Sequence, residues 1–532
     1  MVGFERKRSS VVELDSIGLL GADGVLDNKQ LERIKTIRNN WNFYEGFHWE
    51  DVQPTGKPEI TFNYCRAFCD KFVSFELGKS FTIKLDTQEE VIVTDEPYII
   101  DKDDEKVVIS GRTLFEYLSD VWIDNKQNLF CSEMGIMKSV TGEAWVQVTY
   151  QSPDELDDPF EEYPNGRIKV SLKNTGNVFP EYDPHDKDKL VKLTLMYPIE
   201  EEEKTFYGGR KSTTKVIFKQ VWTKDKIQEF RGAINTANYP NPYSTIPFIQ
   251  IRNISVANKE YGKSDLEDLI PLNVEYNLKA SDVSEILDYH ASPVTILFGA
   301  KQSSIEKGAN KMWGGIPKDA RVENLELKSD LTASTVYLAN IKKAMCEVAG
   351  IPESCLGGEQ NISNTSGIAL HYINLPLIDK TNIKKASTEN ALEIINKLII
   401  LISLREGLIT NPNNVPLREF CYNEVTIPDT LPKDMLIEMQ QIQAEMAVGL
   451  ESRKGAMARL GRENIDAKLD EIDEDMEKNP ALYGLEVTPE LNSGMTNGED
   501  TQPLVKKKSA SNLGEDIPLN IKSADEIDRR HR

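Results

Sequence analysis

The sequence predicts an α+β, multi-domain chain, and three observations carry that prediction. Alternating strand-like runs recur between Arg167 and Ile251. Two long helical patterns then bracket a short β-rich insert, and three further helical patterns run in succession from Pro432 to Lys478. A chain of 532 residues has room for roughly three or four domain-sized units with real apolar cores.

The N-terminal region mixes both element types. Asp27-Asn-Lys-Gln30 reads as a helix start, with Leu31, Ile34, Trp41 and Tyr44 on one face and Gly46 as the stop. In NYCRAFCDKFVSFELGKSFTI, beginning at Asn63, helical spacing joins Cys65, Phe68, Cys69, Phe72 and Val73 with Phe62 just before them. Gly78 ends that helix and SFTIKL begins a strand. Another helix is predicted from the capping box Thr113-Leu-Phe-Glu116 to about Met137, feeding the strand EAWVQVTY. RIKVSLK, KLVKLTLMY, KVIFKQVW and IPFIQIR read as strands separated by acidic or polar turns.

The middle of the chain differs. A helix is predicted from Ser264, with Leu266, Leu269, Ile270, Val274, Leu278, Val283 and Ile286 on one side, ending near Ser292-Pro293. VTILF and RVENLEL read as strands around a Gly- and Lys-containing excursion from Gln302 to Trp313. A second helix carries Leu331, Leu338, Ile341, Met345 and Val348, and closes at Ala349-Gly350-Ile351-Pro352. After the polar loop CLGGEQNISNTSG, a long helix runs from about Ile368 to Leu404. Leu375, Ile378, Ile383, Ala386, Ile394, Ile395, Leu398 and Ile402 stripe it, and Pro376 is expected to kink it. EFCYNEVTI reads as one more strand. Helices are predicted from Pro432 to Gly449, Ser452 to Leu460 and Glu463 to Lys478, and the tail beyond Asn479 is expected to be disordered.

Composition restricts function. Lys+Arg 63 against Asp+Glu 86 leaves a net charge of −23, which argues against coating DNA through a basic surface. It does not argue against letting DNA pass. The six cysteines are scattered without a second ligand pair for zinc, so they read as reduced core residues. Met1 to Ser10 is charged rather than signal-like, and the longest aliphatic run, Leu398 to Ile402, is too short to span a bilayer. A soluble, intracellular chain is expected.

No catalytic constellation emerges. Ala257 to Ser264 resembles a phosphate-cradling loop before a helix, but Lys259, Glu260 and Tyr261 crowd the place where amides would curl round a phosphate. Ser264 and Glu267 have the simpler reading of a helix-capping box. The five histidines share no ligand or triad spacing, and no metal or cofactor site is predicted.

The order of segments is specific. EYGKSDLEDLIPLNVEYNLKASDVSEILDYHASPVTILFG is similar to the GxSDLE-containing segment that opens the channel stem of tailed-bacteriophage portal proteins, the SPP1-like portal family. NISNTSGIALHYINLPLIDKTNIKKASTENALEIINKLI resembles the family's segment leaving the channel loop. NYCRAFCDKFVSFELGKSFTI, NPYSTIPFIQIRN and Asp429 to Met476 match further family segments in the family's order. The matches together cover about Asn28 to Asn479.

The resemblance implies a ring, commonly of twelve subunits, at one capsid vertex, through which double-stranded DNA is packaged, retained and ejected. It implies an N-terminal α+β wing region at 1–255, a first stem helix at 256–290, a small α/β clip at 291–329 and a second stem helix at 330–352. A tunnel loop at 353–367, a long wing helix and strand at 368–430, and a helical crown at 431–480 follow, then a tail at 481–532. Implied partners are the terminase large subunit, a head-completion adaptor, and the major capsid and scaffolding proteins, in the virion and in host cytoplasm during assembly. The loop residues Gly357, Gly358, Glu359, Gln360, Asn361, Asn364, Thr365 and Ser366 would face DNA; they are polar without a basic group, as suits a wall that must not grip its cargo. Lys301, Lys307, Lys311, Trp313 and Lys318 are the clip's docking candidates, with Trp313 equally suited to packing the clip's core. The competing readings are a DNA-packaging ATPase using Lys263 and another structural virion component.

Overall fold

The computed structural model describes residues 26–49, 59–85, 92–94, 97–102, 105–156, 163–186, 189–203, 212–257, 259–291, 295–299, 321–324, 331–357, 367–429, 435–460 and 465–478. The chain divides into two units, Met1–Pro432 and Lys433–Arg532.

The first unit opens with α1 (Asn28–Glu45). Its capping box is formed: Asp27 accepts from the Gln30 amide at 2.7 Å and the Gln30 side chain accepts from the Asp27 amide at 3.0 Å. Gly46 closes the helix at φ 93. α2 (Tyr64–Leu77) buries Cys65, Phe68, Cys69, Phe72 and Val73, as its spacing requires, and also buries Glu76. β1 (Thr82–Lys84) and the hairpin of β2 (Pro97–Lys102) and β3 (Glu105–Ser110) follow.

Two helices stand where one was expected. α3 (Leu114–Asp124) begins at the Thr113–Glu116 box, and α4 (Gln127–Thr141) begins after Lys126, which sits at φ 53. The break lets Asn125 serve the neighbouring sheet: its amide donates to Ile168 O at 2.9 Å and its oxygen accepts from Val170 N at 2.8 Å.

β4 (Glu143–Gln151) is the centre of a three-stranded antiparallel sheet, flanked by β5 (Arg167–Lys173) and β11 (Phe248–Arg252). Between these edge strands in sequence lies a five-stranded meander of β6 (Val178–Tyr182), β7 (Leu190–Glu203), β8 (Ser212–Thr223), β9 (Lys226–Arg231) and β10 (Ile234–Pro240). Then come α5 (Ile270–Ala291), the paired β12 (Thr295–Phe298) and β13 (Arg321–Asn324), and α6 (Leu331–Ala349). A 3-10 turn at Glu353–Leu356 precedes α7 (Gly367–Arg405), α8 (Leu417–Phe420) and β14 (Glu424–Thr426). The expected strand EFCYNEVTI therefore begins in the last two residues of a helix, Glu419 and Phe420, and only Glu424–Thr426 near its end pair with β1.

The largest core lies where α3, α4, β4 and the second half of α7 meet, around Trp122, Met134, Trp145, Ile395 and Ile399. Trp122 donates its indole N–H to Asn396 at 2.8 Å, and Asn396 donates on to Asn423 at 3.0 Å. The second unit holds the three expected helices: α9 (Met435–Val448), α10 (Arg453–Arg459) and α11 (Ile465–Lys478). Arg459 pairs with Glu445, and Arg453 with Asp473 at 3.1 Å. No helix among the described residues is long and apolar enough to cross a membrane.

Candidate functional site

The middle segment is held by polar groups. α5 was expected to bury an apolar stripe. Instead its fully buried positions below the first turn are Asn273, Asn277, Ala280 and Ser281, while Val274, Leu278, Val283 and Ile286 are half-buried. Asn273, Asn277 and Ser281 repeat every four residues and so share one face. That face hydrogen-bonds an extended stretch of backbone. Asn273 accepts from Cys65 N at 3.1 Å and donates to Phe62 O at 2.9 Å; Asn277 accepts from Phe62 N at 2.9 Å; Ser281 accepts from Ile60 N at 3.2 Å. The backbone of Ile60–Phe62 thus uses helix side chains where a sheet neighbour would otherwise serve.

His48 completes the seam. Its Nε2 lies 2.9 Å from Phe43 O and its Nδ1 2.7 Å from the Asn277 amide nitrogen. A carbonyl only accepts, so Nε2 carries the proton and Nδ1 accepts from Asn277. Burial lowers the imidazole's pKa, against the opposing pull of the Phe43 carbonyl.

The loop before α5 corrects the capping assignment. Regular helix begins at Ile270, not Ser264, because Pro271 has no N–H to offer the Glu267 carbonyl. Ser264 is buried; its hydroxyl reaches the Ser139 and Val140 carbonyls at 3.0 and 2.7 Å and accepts from Leu266 N at 3.1 Å. Glu267 is exposed. Gly262 is needed for a backbone crossing: an added Cβ would lie 2.2 Å from Gly142 O, and one on Gly142 (φ 92) would lie 2.5 Å from Gly262 O. Lys263 pairs with Asp268 at 2.6 Å. The phosphate-loop likeness is thus a packing crossover with its lysine engaged by a carboxylate.

Asp265 is the centre of this junction and was not singled out from the sequence. It is buried, and its Oδ2 accepts from Ser139 Oγ at 2.7 Å, Asn253 Nδ2 at 3.1 Å and Lys384 Nζ. Burial alone would raise its pKa, but Lys384 and then Lys380 hold the carboxyl below its ordinary value. A second buried pair lies beside it: Lys138 meets Glu76, and Thr388 bonds both, at 2.6 Å to Lys138 and 2.8 Å to Glu76. Burial pushes the Lys138 pKa down while Glu76 holds it up. The Phe72 ring packs against both lysines, 4.0 Å from Lys384 Nζ and 4.3 Å from Lys380 Nζ.

These partners overturn the stripe expected for the first half of α7. Ile383 is 64% exposed and Leu375 38%, whereas Leu377, Thr381, Lys384, Lys385 and Thr388 are buried. Charge pairing, not apolarity, selects the inward face there. Apolar burial takes over from Ala391, with Ile395, Leu398 and Ile402 inside as expected and Ile394 half outside.

The family model described as phage portal protein, SPP1 Gp6-like, matches residues 23–480. The chain belongs to that family. Portal proteins are structural virion proteins rather than enzymes. No curated protein matches the chain. A solved structure, the virion of a native gene transfer agent particle, is similar at 12% identity and a TM-score of 0.40, covering 84% of this chain and 98% of that one.

The portal-family site residues proposed from sequence are placed as follows. Gly357 ends the 3-10 turn at φ 85, with no atom of the described residues within 4 Å of an added Cβ. Gly358, Glu359, Gln360, Asn361, Asn364, Thr365 and Ser366 lie outside the described residues, as do Lys301, Lys307, Lys311, Trp313 and Lys318. Ser264 and Glu267 are described and do not cap a helix. Among the described residues no cluster of His, Cys, Asp and Glu could hold a metal ion, and all six cysteines are free thiols. The sequence reading missed Asn273, Asn277 and Ser281, though their four-residue spacing was a visible signal. Lys380, Lys384 and Thr388, likewise spaced by four, were equally visible.

Proposed function

We propose that this chain is the subunit of a portal ring, closed by cyclic symmetry at about twelve copies, through which double-stranded DNA enters and leaves a phage capsid. The observation that carries the reading is the family match over residues 23–480, which runs unbroken through α5, the β12–β13 pair, α6 and α7. On this reading α5 and α6 are the stem helices of 256–290 and 330–352. The 291–329 insert is the clip that docks the terminase large subunit and later a head-completion adaptor. Residues 353–367 form the tunnel loop, 431–480 the crown, and 1–255 with 368–430 the wing, which meets capsid and scaffolding proteins. The net charge of −23 supports a wall that repels phosphate instead of holding it.

Exposed apolar residues on the helix pair, Leu287 (51%), Val336 (54%) and Val348 (49%), support contact with neighbouring subunits. Native mass spectrometry and negative-stain imaging of the purified full chain test the proposal. Closed rings of about a dozen copies are expected. A chain that remains monomeric under every assembly condition refutes it.

A further inference from the structure

One buried oxygen at the base of the helix pair has no hydrogen bond. Asp265 Oδ2 takes three donors, yet Oδ1 takes none among the described residues. A buried carboxylate oxygen left without a donor is costly and calls for a cause. Lys380 Nζ lies 3.9 Å from it, beyond hydrogen-bond range.

Lys380 is occupied elsewhere. Its ammonium donates to Ala349 O at 3.1 Å and lies over the Phe72 ring. Ala349 is the last residue of α6, where carbonyls have no partner within the helix. Beyond it the chain turns at Gly350 (φ 72), and Ile351 N returns to Cys346 O at 3.0 Å. Lys380 is therefore the side chain that ties the end of α6 to α7. It sits one turn after Pro376, which cannot donate to the Tyr372 carbonyl and so interrupts the helix ladder. Before the proline, Tyr372 and Leu375 are exposed; after it, Leu377 is fully buried. A second tie crosses the same point, since the Cys355 thiol donates to Asn374 Oδ1 at 2.9 Å. The two ties straddle the proline: one holds the end of α6 to the anchored part of α7, the other holds the following turn to the exposed part.

We propose that Lys380 is a two-position latch, holding the end of α6 in the arrangement seen here and transferring to Asp265 Oδ1 when that end moves away. The transfer needs a displacement of about 1 Å. It exchanges one charge-assisted hydrogen bond for another, so neither position leaves the ammonium bare, and the displaced state gains a partner for the oxygen that lacks one here. Lys384 and Ser139 keep Oδ2 fixed meanwhile, so the carboxylate does not follow the lysine. The latch is a property of the folded subunit and stands whether or not the chain forms a channel.

The test displaces α6 without touching either partner. Gly350→Val in the full chain strains a backbone at φ 72, while its nearest neighbours, Pro376 O at 3.7 Å and Pro376 Cβ at 4.0 Å, are at ordinary contact distance. A high-resolution structure of that variant is expected to show Lys380 Nζ within hydrogen-bond distance of Asp265 Oδ1 and released from Ala349 O. Lys380 turned to solvent, or Oδ1 held by an ordered water in both proteins, overturns the proposal. Hydrogen exchange of Gly350 and Ile351 provides a second reading in a chain whose backbone is unaltered. Lys380→Met is expected to speed exchange about tenfold, and Lys380→Gln, which keeps a neutral donor, by clearly less. Equal exchange in all three proteins overturns it as well.

Discussion

Replacing Glu76 with Gln tests whether the buried charges hold the first unit together. Glu76 and Lys138 have side chains 2% and 0% exposed, so the substitution strands an ammonium that no other carboxylate approaches as closely. Breaking a buried pair from one side costs about 3–5 kcal/mol. An independent bound comes from protonation: the folded chain can always release the proton. From the ordinary lysine value of 10.5 down to pH 7, at about 1.4 kcal/mol per pH unit, that release costs about 5 kcal/mol. Release therefore caps the loss at about 5 kcal/mol, and removing Glu76, which holds the Lys138 pKa up against burial, moves that pKa further down. The sign of the pH dependence then follows. The unfolded chain binds the proton that the folded chain lacks, so the variant gains stability as pH rises from 7 toward 10, by up to about 1.4 kcal/mol per unit. Urea unfolding followed by fluorescence of buried Trp122 and Trp145 measures both effects, with the wild type run at each pH as reference. A loss below about 1 kcal/mol, or no added slope with pH, refutes the reasoning. The double variant Glu76→Leu/Lys138→Met removes both charges and is expected to recover most of the loss.

Asn277→Leu leaves Phe62 N and His48 Nδ1 without their partner and is expected to cost about 1–3 kcal/mol in the same assay. His48 resists protonation because it is buried, so its contribution is complete above the ordinary value of 6.5 and is lost as pH falls below it; the acid side of the stability profile should flatten in His48→Gln. Gly142→Ala and Gly262→Ala each place a Cβ within 2.5 Å of a carbonyl oxygen and should lower the thermal midpoint or the folded yield, by at least about 2 kcal/mol where measurable. Among the six thiols only Cys355 is not buried, and it should react with a soluble disulfide reagent at native conditions while the other five wait for unfolding.

Local chemistry was the most legible part of this chain. The caps at Asp27 and Thr113, the stops at Gly46 and Gly350 and the three C-terminal helices depend on neighbours within a few residues, and they stand where their residues put them. The apolar-period rule held for α2 and for the second half of α7, where volume is what fills the core. It failed for α5 and for the first half of α7, because Asn273, Asn277, Thr381, Lys384 and Thr388 are paid for by partners on distant segments that no local window contains. Strands β9 and β10 escaped notice for the opposite reason: their residues are mostly exposed or half-exposed, so no face alternates strongly. The crossing of Gly142 and Gly262 joins residues 120 positions apart, and only the fold brings them together. The loop and insert residues proposed to meet DNA and docking partners rest on family likeness alone.

β1 pairs with β14, Thr82 to Thr426 and Lys84 to Glu424, and Lys79 donates to Asp429 O at 2.5 Å. At typical ribosomal speeds of about 5–20 residues per second, roughly 20–70 s separate the synthesis of those two strands. The α7 residues that cover Trp122 and Trp145 arrive almost as late. Nascent chains of this protein must therefore carry an unsealed apolar surface for most of their time on the ribosome, until α7 and β14 have been made.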